Sequence, residues 1–157
     1  MAGKVMKAQD AINGALAECY VTIGTNRYNF MQLIKFEAKV DKTKSEVPIL
    51  GKTGKGNKSN GWKGTFTGTA HYNQSIMRKL LLEYMKTGLD TYFDIQVTNN
   101  DPASAAGKQT VIFTGCNLDG GTLAKFDVDA EYLDEEVSGT FEDARMKDSF
   151  KVLSGMK

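Results

Sequence analysis

Histidine occurs once in these 157 residues, cysteine twice, and no charge of either sign dominates. Each scarcity excludes something. A catalytic histidine needs an orienting carboxylate, and the neighbours of His71 supply none, so it reads as an exposed strand residue. Cys19 and Cys116 are far apart, with no partner at metal-ligand or redox-motif spacing. They read as small buried hydrophobes in a reducing compartment. A net charge of +1 gives no global pull toward nucleic acid or anionic membrane. No run approaches the ~20 apolar residues of a spanning helix, and Asp10, Asn13 and Gly14 interrupt any signal-peptide core. The expectation is a cytosolic chain of one domain, residues 1–157, with an ordinary apolar content of 41%.

What is present includes a lysine-glycine stretch, LGKTGKGNKSNGW (residues 50–62), that looks like a phosphate-binding loop. The spacing fails. Counting from Gly51 to Gly56 leaves Asn57 where lysine must stand, and counting back from Lys52-Thr53 puts Glu46 where glycine belongs. Such a loop must also open a helix. Here WKGTFTGTAHY follows, with Trp62, Phe66 and Tyr72 on one parity and Lys63, Thr65, Thr67, Thr69 and His71 on the other. That period of two is a strand.

Strands dominate the rest. CYVTI (19–23) is one, and Phe30 to Val40 alternates Ile34, Phe36, Ala38 and Val40 against Lys35, Glu37, Lys39 and Asp41. TYFDIQVT, QTVIFTGCNL and LDEEVSGTF follow the same rule; TLAKFDV (122–128) reads as a continuation and DSFKVL (148–153) as a short final strand. One helix is expected at about residues 74–87, where Ile76, Met77, Leu80, Leu81, Tyr84 and Met85 form a stripe ended by Gly88. Residues 1–17 read as an arm, and residues 42–61 as a long loop of a kind that usually carries function. The fold class is mainly β, an antiparallel sandwich or barrel with one flanking helix.

No enzyme emerges. There is no nucleophile elbow. Asp127, Asp129 and Glu131 begin like a calcium loop, but Tyr132 and Ser138 occupy the positions of its glycine and bidentate acid. Catalytic, cofactor and metal residues are therefore all assigned as none. The sharper signal is segregated charge. Residues 42–63 hold Lys42, Lys44, Lys52, Lys55, Lys58 and Lys63 against Glu46 alone. Residues 127–143 hold eight acids and no base. Two solvated faces would account for this. So would head-to-tail contact between copies, with Lys42, Lys44, Lys52, Lys55 and Lys58 meeting Asp134, Glu135 and Glu136 of a neighbour.

Seven stretches then carry a resemblance: DAINGALAECYVTI, IKFEAKVDKTKSEVPILGK, GWKGTFTGT, RKLLLEYMKTG, YFDIQVTNNDP, GKQTVIFTGCNLD and FEDARMKDSF. In this order they resemble the tail tube proteins of contractile phage tails and phage-tail-like bacteriocins. PBSX-type defective prophages and R-type, diffocin-like clusters encode such proteins. The resemblance implies a structural protein, without cofactor, whose hexameric rings stack into a hollow tube inside a sheath protein. Baseplate or initiator and terminator proteins are its further partners. It implies assembly in the bacterial cytoplasm and a place in a virion tail or a released particle. The arm and the 42–61 loop would reach adjacent rings. A DNA-delivering phage and a DNA-free bacteriocin both fit, and a type VI-like tube protein shares the architecture. A small nucleic-acid-binding β-barrel fits less well. Trp62, Phe66 and Tyr72 share the inward parity, and the acidic segment repels phosphate, so no stable nucleic-acid binding is expected.

Overall fold

Alternation between Trp62 and Tyr72 places small and aromatic residues on one face of a strand, and the structure builds its longest strand there. The computed structural model describes residues 5–157. After a 3-10 turn at Ala8–Asp10 come β1 (Ala17–Ile23), β2 (Asn26–Asn29), β3 (Leu33–Val47) and β4 (Gly56–His71). Helix α1 (Ile76–Thr87) follows, then β5 (Phe93–Asn100), β6 (Lys108–Gly120), β7 (Asp134–Phe141) and β8 (Asp143–Asp148). All strand pairs are antiparallel, and the strand order does not close into a ring. The mainly-β class with a single helix is as the alternation predicts; the closed-barrel alternative is not what forms.

The chain divides into two compact units. The first comprises the chain up to Gln32, Tyr92–Cys116 and Asp143–Lys157. Its strand order is β2-β1-β5-β6-β8. One face buries Cys19, Val21, Phe93, Ile95 and Cys116, as period-two patterning requires. Burial pushes the Cys19 and Cys116 thiols up to about 12, so neither is a thiolate near neutral pH.

The same unit fastens much of the segment expected to be a loose arm. Asn13 N–H donates to the buried Asp101 carboxylate (3.0 Å) and Asn100 N–H to Leu16 O (3.2 Å). Asp10 accepts from Ala105 N–H and Ser104 Oγ, both at 2.9 Å. Residues 1–4 of the expected arm lie outside the described residues. Deleting residues 5–9, all exposed, should change stability little. Deleting residues 5–14 should lower it by about 1–3 kcal/mol, because the Asp101 carboxylate loses a donor. Paired urea titrations compare the two; equal midpoints would show that the Asp10 and Asn13 ties contribute nothing.

The second unit comprises Leu33–Thr91 and Asn117–Glu142. Here the last residues of β6 pair with β7, β7 with β4, and β4 with β3. Among its described residues the buried apolar side chains are only Phe66, Ala70 and Phe141. Glycines let these rings lie on the backbone. A Cβ at Gly139 would stand 2.2 Å from Asn117 O and 2.6 Å from the Phe66 ring, and one at Gly64 would stand 2.4 Å from the Phe141 ring. Because a backbone oxygen cannot swing aside, Gly139→Ala should force β6 and β7 apart. It should cost about 1–3 kcal/mol by chemical denaturation, the usual penalty of overpacking. An unchanged midpoint would mean the strands part without loss.

Three expected elements differ. Residues 42–61 are not a loop. β3 and β4 pair from Leu33 opposite Ala70 to Val47 opposite Gly56, with register shifts at Leu33/Lys35 and Thr43/Lys44, leaving only residues 48–55 outside strands. Residues 42–55 are all exposed, so no apolar alternation marked them as strand; cross-strand backbone pairing holds them. TLAKFDV has the alternation but forms no strand, since residues 121–133 carry no regular element. Of DSFKVL only Asp148 lies in a strand, closing β8; residues 149–153 do not, and the final pairing is made by the polar DARMKD of β8 against β6. Helix α1 begins at Ile76 rather than 74 and ends as expected at Gly88, at φ +72°, whose N–H reaches Tyr84 O at 2.7 Å. None of its residues is fully buried.

Candidate assembly surfaces

The β3–β4 hairpin runs well past the sheet it springs from. β7 pairs with β4 only from Gly64 to His71, so Gly56–Lys63 has β3 alone as neighbour. Lys42 and Lys44 lie on β3, Lys58 on β4, and Lys52 and Lys55 in the tip. All five are exposed. At the tip Lys52 N–H closes a turn on Ile49 O (3.2 Å), and Gly51 adopts φ +83°. Lys55 sits 3.6 Å from Glu46, the one acid among residues 42–63. Val47, Ile49 and Leu50 project from the same tip as exposed apolar side chains. Lys58 lies within a strand and no helix follows the tip, so the arrangement that cradles phosphates is not built here.

The three acids assigned to the opposing surface have different neighbours. Glu136 is exposed. Asp134 lies 3.8 Å from Lys125, whose ammonium donates to the Asp134 carbonyl at 2.8 Å. Glu135 is engaged within the chain. Its carboxylate accepts from the Arg78 guanidinium, and both side chains are nearly buried, 9% and 12% exposed. Arg78 also donates to Gln74 O and lies 4.2 Å above the Tyr72 ring. That clamp ties α1 to β7. Nothing in the sequence pattern links Arg78 to Glu135, which lies 57 positions away.

Asp127, Asp129 and Glu131 are exposed instead, in the irregular segment before β7. Asp129 N–H bonds Asp127 Oδ1 at 3.1 Å in a local turn. His71 meets Tyr132 edge to face at 5.4 Å. Of the three aromatics on the β4 parity, Phe66 is buried and Tyr72 lies under Arg78. Trp62 is half exposed and tilts toward Phe141 at 6.2 Å. They do not form a row of open ring faces for base stacking. No helix among the described residues is long and apolar enough to cross a membrane.

The same fold recurs in chains of solved prophage and injection-system structures. A chain in the anti-feeding prophage baseplate structure overlays with a TM-score of 0.68 at 9% identity, covering 90% of this chain and 97% of that one. A chain in the PVC extracellular contractile injection system, from its sheath-tube complex, gives 0.61 at 12% identity, covering 89% and 93%. At such identities the likeness is one of fold. Residues 4–148 match the phage tail tube protein family, and the chain belongs to that family. It is 37% identical over 138 residues to the phage-like element PBSX protein XkdM of Bacillus subtilis (strain 168), covering 88% of this chain and 91% of that protein. The protein is thus a structural tail tube protein, as the resemblance in its sequence implies.

Proposed function

We propose that this chain is the repeating subunit of the inner tube of a contractile tail or phage-tail-like particle. Six copies close into a ring, rings stack, and a sheath protein surrounds the tube between a baseplate initiator and a terminator. Assembly takes place in the bacterial cytoplasm, and the subunit carries no catalytic activity or cofactor. Membership of the tail tube family supports this reading, and the observation that carries it is the hairpin. A lysine-rich arm with an apolar tip, unsupported by its own domain, is a poor investment for a monomer and a ready contact for another copy. The basic residues Lys42, Lys44, Lys52, Lys55 and Lys58 are placed for that contact. Asp134 and Glu136 remain accessible to a neighbour, whereas Glu135 already serves Arg78.

Negative-stain microscopy of concentrated purified protein tests the reading. Rings with six-fold averages and tubes of uniform width are expected. A monodisperse monomer at millimolar concentration in low and high salt would overturn it.

A further inference from the structure

The segment between β6 and β7 carries an unusual alternation, Phe126-Asp127-Val128-Asp129-Ala130-Glu131-Tyr132. It is pinned at one end by the Lys125 ammonium on Asp134 O and at the other by Tyr132 against His71. Between those pins Phe126 and Val128 are 88% and 91% exposed. The pattern alternates like a strand's, yet residues 127–130 make a turn, with Asp129 N–H on Asp127 Oδ1 (3.1 Å) and Ala130 N–H on Asp127 O (3.4 Å), which presents Phe126 and Val128 to solvent. Isolated exposed apolar residues are ordinary; a run of them interleaved with acids and fixed at both ends is a prepared surface.

The hairpin tip has the complementary make-up. Val47, Ile49 and Leu50 are exposed apolar groups, set among Lys44, Lys52, Lys55 and Lys58. The outer edge of β3 beside them pairs with no strand among the described residues. These two surfaces do not meet within one molecule. Tyr132 sits at the His71 end of the 16-residue β4, and the tip begins at its Gly56 end. At ~3.3 Å per residue they are roughly 50 Å apart along a paired strand.

We infer that the 126–132 segment is the seat for the hairpin tip of a second copy of this chain. Phe126 and Val128 cover Ile49 and Leu50 there, and Asp127, Asp129 and Glu131 face the lysines. Because seat and tip lie at opposite ends of one sheet, the contact is heterologous and propagates from copy to copy. The inference rests on the tube reading and names the surfaces that join its copies.

Cross-linking of full-length protein separates the two claims. Leu50→Cys with Val128→Cys, treated with a short bis-maleimide, should give a ladder extending beyond dimers. Each single variant can give dimers at most, and the native thiols are buried. Tubes without a ladder would overturn the inference and leave the tube reading standing. Wild-type protein that never forms rings or tubes would overturn both. Should the cysteine variant itself fail to assemble, charge exchange decides. Lys52, Lys55 and Lys58 reversed to Glu should abolish assembly, and adding Asp127, Asp129 and Glu131 reversed to Lys should restore it. Absence of restoration overturns the seat.

Discussion

Arg78→Ala should lower the free energy of unfolding by about 3–5 kcal/mol, the usual cost of stranding one member of a buried ion pair. The Glu135 carboxylate would be left without its cation, Gln74 O would lose a donor, and the Tyr72 ring would lose its cover. The cost falls first on α1. No residue of that helix is fully buried, so the clamp to β7 is a large part of what holds it down. Hydrogen exchange of Ile76–Thr87 should therefore accelerate more than that of β1 or β5, and urea titration gives the global figure. Arg78→Met combined with Glu135→Leu should recover most of the loss, because a packed apolar pair leaves no buried charge. A single variant within about 1 kcal/mol of wild type, or a double no better than the single, would show that the pair does not fasten the helix.

The second large effect concerns assembly and leaves the fold alone. Replacing residues 44–60 by a short Gly-Ser linker should abolish tubes while the melting curve of the monomer scarcely moves. Every residue from 42 to 55 is exposed, and the buried Phe66 and Phe141 lie in the part of the sheet that remains. A milder version reverses Lys52, Lys55 and Lys58 to Glu. Each exposed pair contributes only about 0.2–1 kcal/mol, but the contact repeats in every copy. Salt near 1 M shortens the Debye length to about 3 Å, so it should slow elongation. Apolar burial between copies persists in salt, so finished tubes should survive it. Microscopy and sedimentation read both results. Normal tubes from the shortened chain would mean the arm is not an assembly element; a monomer that unfolds would place the arm in the core. The obvious reciprocal experiment, reversing Asp134, Glu135 and Glu136 together, is confounded. A lysine at 135 would be forced against Arg78.

The sequence is legible where one face of an element is buried. Phe66 and Ala70 alternate with threonines, so β4 announces itself from Trp62 onward, and Phe93, Ile95 and Val97 do the same for β5. The lower half of the hairpin is invisible for the converse reason: with solvent on both faces, lysine, glycine and serine occur in no periodic order. Alternation also misleads. Phe126 and Val128 have the spacing of a strand yet pair with no strand among the described residues, and DARMKD is a strand by virtue of β6 beside it. At the candidate surfaces the charge blocks are plain, because they are local in sequence. The engagement of Glu135 by Arg78 is not, because it depends on how a helix lands on a distant strand.

Opposite Thr43 and Lys44 the register of the hairpin slips by one residue. Thr43 faces Gly61 and Lys44 faces Ser59, which leaves Asn60 as the surplus, its amide held by Ser45 Oγ at 2.7 Å. An extra residue of this kind bends a strand and tightens its twist. The bend lies midway along the arm, between the edge of the β7 pairing at Gly64 and the tip, so it sets the direction in which the tip points. In a polymer whose copies grip one another through these arms, that direction recurs at every step. On the proposed tube reading, a few degrees at Asn60 would be repeated in every copy and would bear on the helical pitch of the whole.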